Sequence, residues 1–370
     1  METKKVLLIT TGGTIAGNVA STKKEGELLK ESDQFSELLS DALTSIKSTS
    51  NIDVVIEHFP LCDIDSSNVM PSHWKDLAQK IKDSYDDFDS FIITHGTNTL
   101  GYTTSALSFS LANLDKPVIL TGSQVPAGMP GSDAITNLEN ALRVATLKKR
   151  KGEQIKGIIA VFGSHIITGT RVKKNTEFDY DAFKSFGTGS IGRIGRMIDI
   201  DETNLKKHNS YLSSAKYSEA QDGSELICIN EFDMRIASLT EFPGMDINIF
   251  KSLVEQNDIK GFILRAFGAG DPSERFVETF EFLRSEKIPV VITTQAPNGN
   301  SNFQVNEPGQ YLKKHELAIP AYDMSIESQT TKLAWLLAKK KKGELTYKQV
   351  CEEMVNDIRG EVNVIWEVKM

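Results

Sequence analysis

Six apolar runs, each short and each broken off by small polar residues, limit what this chain can become. They are "VLLITTGGT" (6 to 14), "FIITHGTNT" (91 to 99), "PVILTGSQVP" (117 to 126), "GIIAVFGS" (157 to 164), "GFILRAFGAG" (261 to 270) and "PVVITTQ" (289 to 295). A run that is apolar at every position, rather than at every second one, reads as a strand buried on both faces. Helix-period segments lie between the runs, among them "SHWKDLAQKIKDSYDDF" (72 to 88), "YTTSALSFSLANL" (102 to 114), "NLENALRVATLKK" (137 to 149) and "SERFVETFEFLRSEK" (273 to 287). Strands alternating with helices predict a parallel sheet, covered on both faces and joined by right-handed crossovers. The fold class expected is α/β, with a large doubly wound, mainly parallel N-terminal domain and a smaller C-terminal α/β domain. Open sheets of this kind bind ligands beyond the carboxyl ends of their strands. The polar endings Thr11 to Thr14, His95 to Thr99 and Thr121 to Gln124 should therefore surround one crevice.

With 370 residues the chain is long enough for two cores, and 39% hydrophobic with 25% charged residues is an ordinary globular balance. The net charge of −8 argues against a nucleic-acid partner. Two basic runs, "KKRKG" (148 to 152) and "KKKKG" (339 to 343), follow helix-period segments and end in glycine, so they read as helix ends. Cys62, Cys228 and Cys351 have no metal spacing and are too few for a disulfide framework. The N-terminal apolar run is too short for a signal or membrane segment. A cytoplasmic protein with no membrane partner is expected.

The polar stretch "KKHNSYLSSAKYSEAQDGSE" (206 to 225) has no apolar period and reads as a linker. It would separate a catalytic N-terminal domain, 1 to 205, from a C-terminal domain, 226 to 370. The latter restarts with the strand-like "LICINEF" (226 to 232) and closes with "TTKLAWLLAKKKK" and "YKQVCEEMVNDIR".

"TTGGTIAG" (10 to 17) is a glycine-rich turn after a strand, but it lacks GxGxxG and the GK[ST] of a phosphate-binding loop. The other reading is that Gly12 and Gly13 turn the backbone tightly and present the Thr14 hydroxyl to the crevice. A threonine hydroxyl needs an adjacent base to become a nucleophile. Of six histidines only His95 sits at a strand end, where a lone histidine is more often structural, and no residues have paired metal-ligand spacing. A lysine is the other candidate base, and spacing alone does not choose which. "IDSSN" (64 to 68) places hydroxyls before a helix, where a capping role is the ordinary reading.

Taken together, "TTGGTIAG", "DSSN", "ITHGT" followed by "YTTSALSFSL", "KPVILTGSQVP", "GTRVKKNTEFDYDAF" and "LRAFGAG" resemble the bacterial-type, two-domain L-asparaginases, most closely the cytoplasmic type I branch. The motifs fall in the family's order across roughly residues 5 to 340. The resemblance implies hydrolysis of L-asparagine to L-aspartate and ammonia without metal or cofactor, through an acyl-threonine intermediate. It makes Thr14 the nucleophile, Thr97 the second active-site threonine and Lys174 the lysine bonded to it. Ser66, with Ser67 beside it, would hold the substrate's α-carboxylate, and Ser123 would line the amide pocket. It further implies a homodimer or homotetramer in which Asp271 reaches a neighbouring subunit's site, and it matches Arg265 to an allosteric contact.

Two departures stand out. The chain has no tyrosine between residues 18 and 84, where many relatives carry one on a mobile loop, and Asn98 stands where the family has aspartate. That aspartate accepts a hydrogen bond from the substrate's α-ammonium. Losing the charge forfeits roughly 1.5 to 3 kcal/mol, or about 10- to 150-fold in affinity. Two alternatives to asparagine hydrolysis follow: an amidase for a different β-amide, or a catalytically weak paralogue that only binds an amino acid. The amidase subunit of an archaeal transamidosome shares this domain pair but carries an extra N-terminal domain, and here the first motif begins at Thr10.

Overall fold

The structure, a computed structural model, describes residues 2–13, 39–40, 42–44, 46–47, 52–148, 153–212 and 225–363. It divides into two units, Met1–Asn230 and Glu231–Met370.

The first unit holds strands β1 (Glu2–Thr10), β2 (Ile52–Pro60), β3 (Ser90–Thr94), β4 (Leu111–Ala112), β5 (Pro117–Thr121), β6 (Gly157–Phe162), β7 (His165–Thr168), β8 (Val172–Lys174), β9 (Phe183–Ser185), β10 (Gly192–Ile194) and β11 (Ile198–Ile200). Eight of them form one sheet in the order β11-β10-β7-β6-β5-β3-β1-β2. From β2 to β6 every pairing is parallel. Beyond β6 the pairings turn antiparallel. The unbroken apolar runs fill both faces, as their pattern requires. Val6, Leu8, Ile92, Ile119, Ile159 and Val161 point to one core. Leu7, Ile9, Phe91, Ile93, Val118, Leu120, Ile158 and Phe162 point to the other. Helix Ala134–Ala145 covers the first face through Leu138, Ala141 and Leu142. Helices Pro71–Asp83 and Leu100–Ser110 cover the second through Leu77, Ile81, Leu100 and Leu107.

The second unit is a four-stranded parallel sheet over a phenylalanine-rich core of Phe250, Phe262, Phe276, Phe280 and Phe303. Its "KKKKG" run closes helix Ile326–Lys341, with Lys339 to Lys341 in the last turn and Gly343 at φ 79°, where glycine carries no side-chain clash. Residues 149–152 of the other basic run lie outside the described residues.

The segment 206 to 225 is not uniformly irregular. Residues 206–210 finish helix Glu202–Ser210, which Asp201 caps by accepting from the Thr203 and Asn204 amides, while 213–224 lie outside the described residues. Of the run 226 to 232, only Ile227–Cys228 is strand, and it pairs with β4 inside the first unit rather than opening the second.

One buried ion pair ties the second unit together. Lys332 and Glu361 are both fully buried, and their charged ends meet at 2.5 Å. The ammonium also donates to the carbonyls of Met354 and Asn356, and the carboxylate accepts from the Ile358 and Arg359 amides. Burial works against the Glu361 charge, yet Lys332 and those amides hold its carboxyl below the usual range. Lys332→Met should lower the stability of this unit by about 3 to 5 kcal/mol in urea unfolding, because it strands a buried carboxylate. Lys332→Met with Glu361→Leu should recover much of that loss; a single variant as stable as the parent contradicts this account.

Candidate active site

The carboxyl ends of β1, β3 and β5 are level. Thr10 faces Thr94 and Thr94 faces Thr121 in register. The loops that follow therefore leave the sheet together: the Thr11 amide and hydroxyl both donate to the Thr94 carbonyl, at 3.2 and 3.0 Å, and the His95 amide donates to Thr121 at 2.9 Å. Gly13, at φ 79°, and Gly96 pass so close that a Cβ on Gly13 would lie 2.8 Å from the Gly96 Cα, and one on Gly96 would lie 2.6 Å from Ser66 Oγ. Only glycines let the endings of β1 and β3 and the Ser66 turn share the space.

Ser66 begins a 3-10 turn, Ser66–Asn68, capped by Asp65, and is buried. The capping role anticipated for the serines belongs to Asp65. Its carboxylate takes the Ser67 amide at 2.7 Å and then the Ser67 hydroxyl, which together hold it below the usual carboxylate range. The Thr99 hydroxyl donates to the Ser66 carbonyl at 2.7 Å, tying this turn to the end of β3.

Lys174 ends β8 with its side chain 13% exposed. Its ammonium donates to Thr97 Oγ1 at 3.0 Å, to Asn98 Oδ1 at 3.3 Å and to Glu177 Oε2 at 2.6 Å. Asn98 Nδ2 donates onward to Ser67 Oγ at 3.0 Å. The structure thus brings Ser67, Thr97, Asn98 and Lys174 into one hydrogen-bonded cluster, with Ser66 next to it in the chain and tied to Thr99. Glu177, which sequence reasoning missed, joins it; its signal was an acidic side chain three residues after Lys174. Thr14 lies outside the described residues. Gly13, its neighbour, ends the described part of that loop beside Gly96.

Ser123 is buried two residues beyond β5. Its loop is held from behind by Asp133 and Asn137. The Asp133 carboxylate accepts from the Gln124 and Val125 amides at 2.9 and 3.0 Å, and Asn137 donates to the Gly122 carbonyl at 2.9 Å. Asp133 stands at a helix N-terminus, but its side chain makes no capping bond there. Asp271 and Arg265 belong to the second unit. Asp271 accepts from Asn306 Nδ2 at 2.5 Å and from the Ala269 amide at 3.1 Å. Arg265 lies on strand Gly261–Ala266. Among the described residues no three His, Cys, Asp or Glu side chains gather as a metal site would need. No described helix is long and apolar enough to cross a membrane.

His95 is 1% exposed and fully engaged. Its Nδ1 lies 2.7 Å from the Gly96 carbonyl, which can only accept, so Nδ1 carries the proton. Nε2 then accepts from the Thr103 hydroxyl at 2.9 Å, and Thr103 accepts from the Trp74 indole at 3.1 Å. Burial pushes its pKa from 6.5 down to about 4, so the ring is neutral and shapes the turn rather than serving as a base. Burial likewise lowers His208, bonded to the Lys156 carbonyl, to about 4.

These two histidines should make the protein acid-sensitive. Between about pH 6.5 and 4 the unfolded chain binds protons that the folded rings refuse. Their contribution is complete above 6.5 and is lost as pH falls toward 4. Each histidine should give a slope of up to about 1.4 kcal/mol per pH unit in that window. Urea unfolding at pH 7.5, 6 and 5 checks this, and flat stability across the series would contradict it.

The family model described as "Asparaginase, N-terminal" matches residues 5–206, and that described as "Glutaminase/Asparaginase C-terminal domain" matches residues 235–348. The chain is similar to L-asparaginase 1 of Escherichia coli K12, at 33% identity over 83% of each protein. It is also similar to a glutamyl-tRNA(Gln) amidotransferase subunit of Methanococcus maripaludis, at 30% identity over 97% of this chain and 81% of that one. The solved structure of the thermostable L-asparaginase from Thermococcus kodakarensis superposes with a TM-score of 0.77 at 30% identity, over 97% of this chain and 99% of that one. The chain belongs to the asparaginase family of amidohydrolases.

Proposed function

We propose that this amidohydrolase cleaves the side-chain amide of L-asparagine to L-aspartate and ammonia through an acyl-enzyme on Thr14. The observation that carries the reading is the 3.0 Å hydrogen bond from Lys174 Nζ to Thr97 Oγ1 at the mouth of the level strand ends. A lysine held against a hydroxyl is the proton-handling device that a threonine nucleophile needs. Thr14 Oγ attacks the amide carbon, and its proton passes through the Thr97 and Lys174 pair to the leaving nitrogen. The carbon–nitrogen bond breaks, ammonia departs, and water hydrolyses the ester while a proton returns to Thr14. Ser66 and Ser67 hold the α-carboxylate, Asn98 Oδ1 accepts from the α-ammonium, and Ser123 lines the amide pocket. In this reading the protein is a cytoplasmic homodimer or homotetramer that uses no cofactor. Asp271 of a neighbouring subunit completes the site, and Arg265 serves an allosteric contact.

A second reading is favoured by the name of the Methanococcus relative and by the C-terminal family description, which both point to glutamine-type amides. Ammonia release from L-asparagine and L-glutamine, each over a concentration series, separates the two. Saturable release from asparagine should vanish in Thr14→Ala and fall roughly 100- to 10,000-fold in kcat in Lys174→Met. Release from glutamine alone, or a Lys174→Met enzyme within tenfold of the parent, would sink the primary reading.

A further inference from the structure

We propose that Asn98 and Glu177 are a matched pair around Lys174: Glu177 supplies the carboxylate partner of the ammonium, and the neutral amide at 98 completes a one-way hydrogen-bond chain from Lys174 to Asp65. Its consequence for turnover rests on the amidase reading above.

The Lys174 ammonium has three protons, and three acceptors take them: Glu177 at 2.6 Å, Thr97 at 3.0 Å and Asn98 at 3.3 Å. Asn98 accepts on its oxygen and passes a donor to Ser67 Oγ at 3.0 Å. The Ser67 hydroxyl bonds to the Asp65 carboxylate, which also takes the Ser67 amide at 2.7 Å. An ammonium only donates and a carboxylate only accepts, so both ends of the chain fix its direction. The middle position must accept on one side and donate on the other, which a carboxamide does and an ionised aspartate does not. An aspartate at 98 would set two acceptors against each other at Ser67, or pull the Ser67 hydroxyl away from Asp65. It would also place a second carboxylate on an ammonium that already has one.

Glu177 is 64% exposed, so the ion pair adds little to stability. Its effect is on where the ammonium rests. The Gln124 side chain donates to the Glu177 carbonyl at 2.8 Å and holds the backbone from which the carboxylate reaches back to Lys174. Without that charge the ammonium keeps only neutral acceptors and is free to leave Thr97. Glu177 is thus a positioning residue.

The test is a double-mutant cycle of E177Q, N98D and N98D/E177Q, read by ammonia release from L-asparagine and by crystal structures of all four proteins. In kcat each single variant should lose about tenfold or more, N98D lowering KM at the same time because its charge meets the substrate's α-ammonium, while the double variant, with its carboxylate moved to 98, recovers most of the E177Q loss in kcat. In the E177Q crystals Lys174 should move off Thr97, and in the double variant it should be back. Multiplicative losses with turnover intact in the parent overturn the pair and leave the amidase reading standing, as does either single variant without effect. A parent that releases no ammonia while Lys174 moves and returns overturns the amidase reading and leaves the pair standing. No release and no movement overturn both.

Discussion

The site depends first on the register of three parallel strands. Because Val6–Ile9 of β1, Phe91–Ile93 of β3 and Val118–Leu120 of β5 are apolar at every position and buried on both faces, no functional side chain can leave the sheet sideways there without being drowned in a core. Polar residues must emerge at the ends. The pairing of Thr10 with Thr94 and of Thr94 with Thr121 makes those ends level, so three loops distant in sequence leave at one height. Gly13 and Gly96 then allow a backbone-to-backbone approach that any Cβ would prevent. Had the register slipped by a residue, each buried side chain would change faces and each loop would leave on the wrong side of its neighbour.

What could be read from the sequence follows from which signals are local. An unbroken apolar run ended by Thr and Gly declares a buried strand and its polar end within ten residues, so the strand-end positions of Thr97 and Ser123 were legible, whereas the half-exposed β2 before Ser66 left its serines reading as caps. The antiparallel extension was not, because "HIIT", "GRI" and "IDI" are too short to show a period. "LICINEF" looked like the start of a new sheet since its composition says strand and nothing local says which partner; Leu111–Ala112, far back in the chain, takes it. Asp133 precedes a helix in sequence, and only the fold shows its carboxylate turned across to the Gln124 loop. The meeting of Lys174 with Thr97, 77 residues apart, has no local signal at all.

The two basic side chains near the cluster illustrate how burial divides labour. His95 lies inside the core, where a charge is expensive, and burial outweighs the Gly96 carbonyl, which would suit the charged ring as well as the neutral one. It fixes the geometry of the turn carrying Thr97, and a proton could enter only at Nε2, where the Thr103 hydroxyl would have to turn from donor to acceptor. Lys174 sits at the rim, close enough to solvent to keep a polar neighbourhood and near enough to Thr97 to bond it. The Thr97 hydroxyl is therefore paired with the rim lysine, and the buried histidine one residue before the glycine shapes the turn.

This bears on how Asn98 should be understood. A position released from function tends to leave its former partners unsatisfied, since nothing selects replacements for them. Here both ends of the Asn98 amide are used, the oxygen toward Lys174 and the nitrogen toward Ser67. The Lys174 ammonium, which an aspartate at 98 would face, has a carboxylate from Glu177 instead. A neutral residue flanked by compensating partners on each side is what a rearranged site requires, and a decayed one has no physical reason to keep it. The amide at 98 is better explained as one half of a rearrangement than as a missing charge.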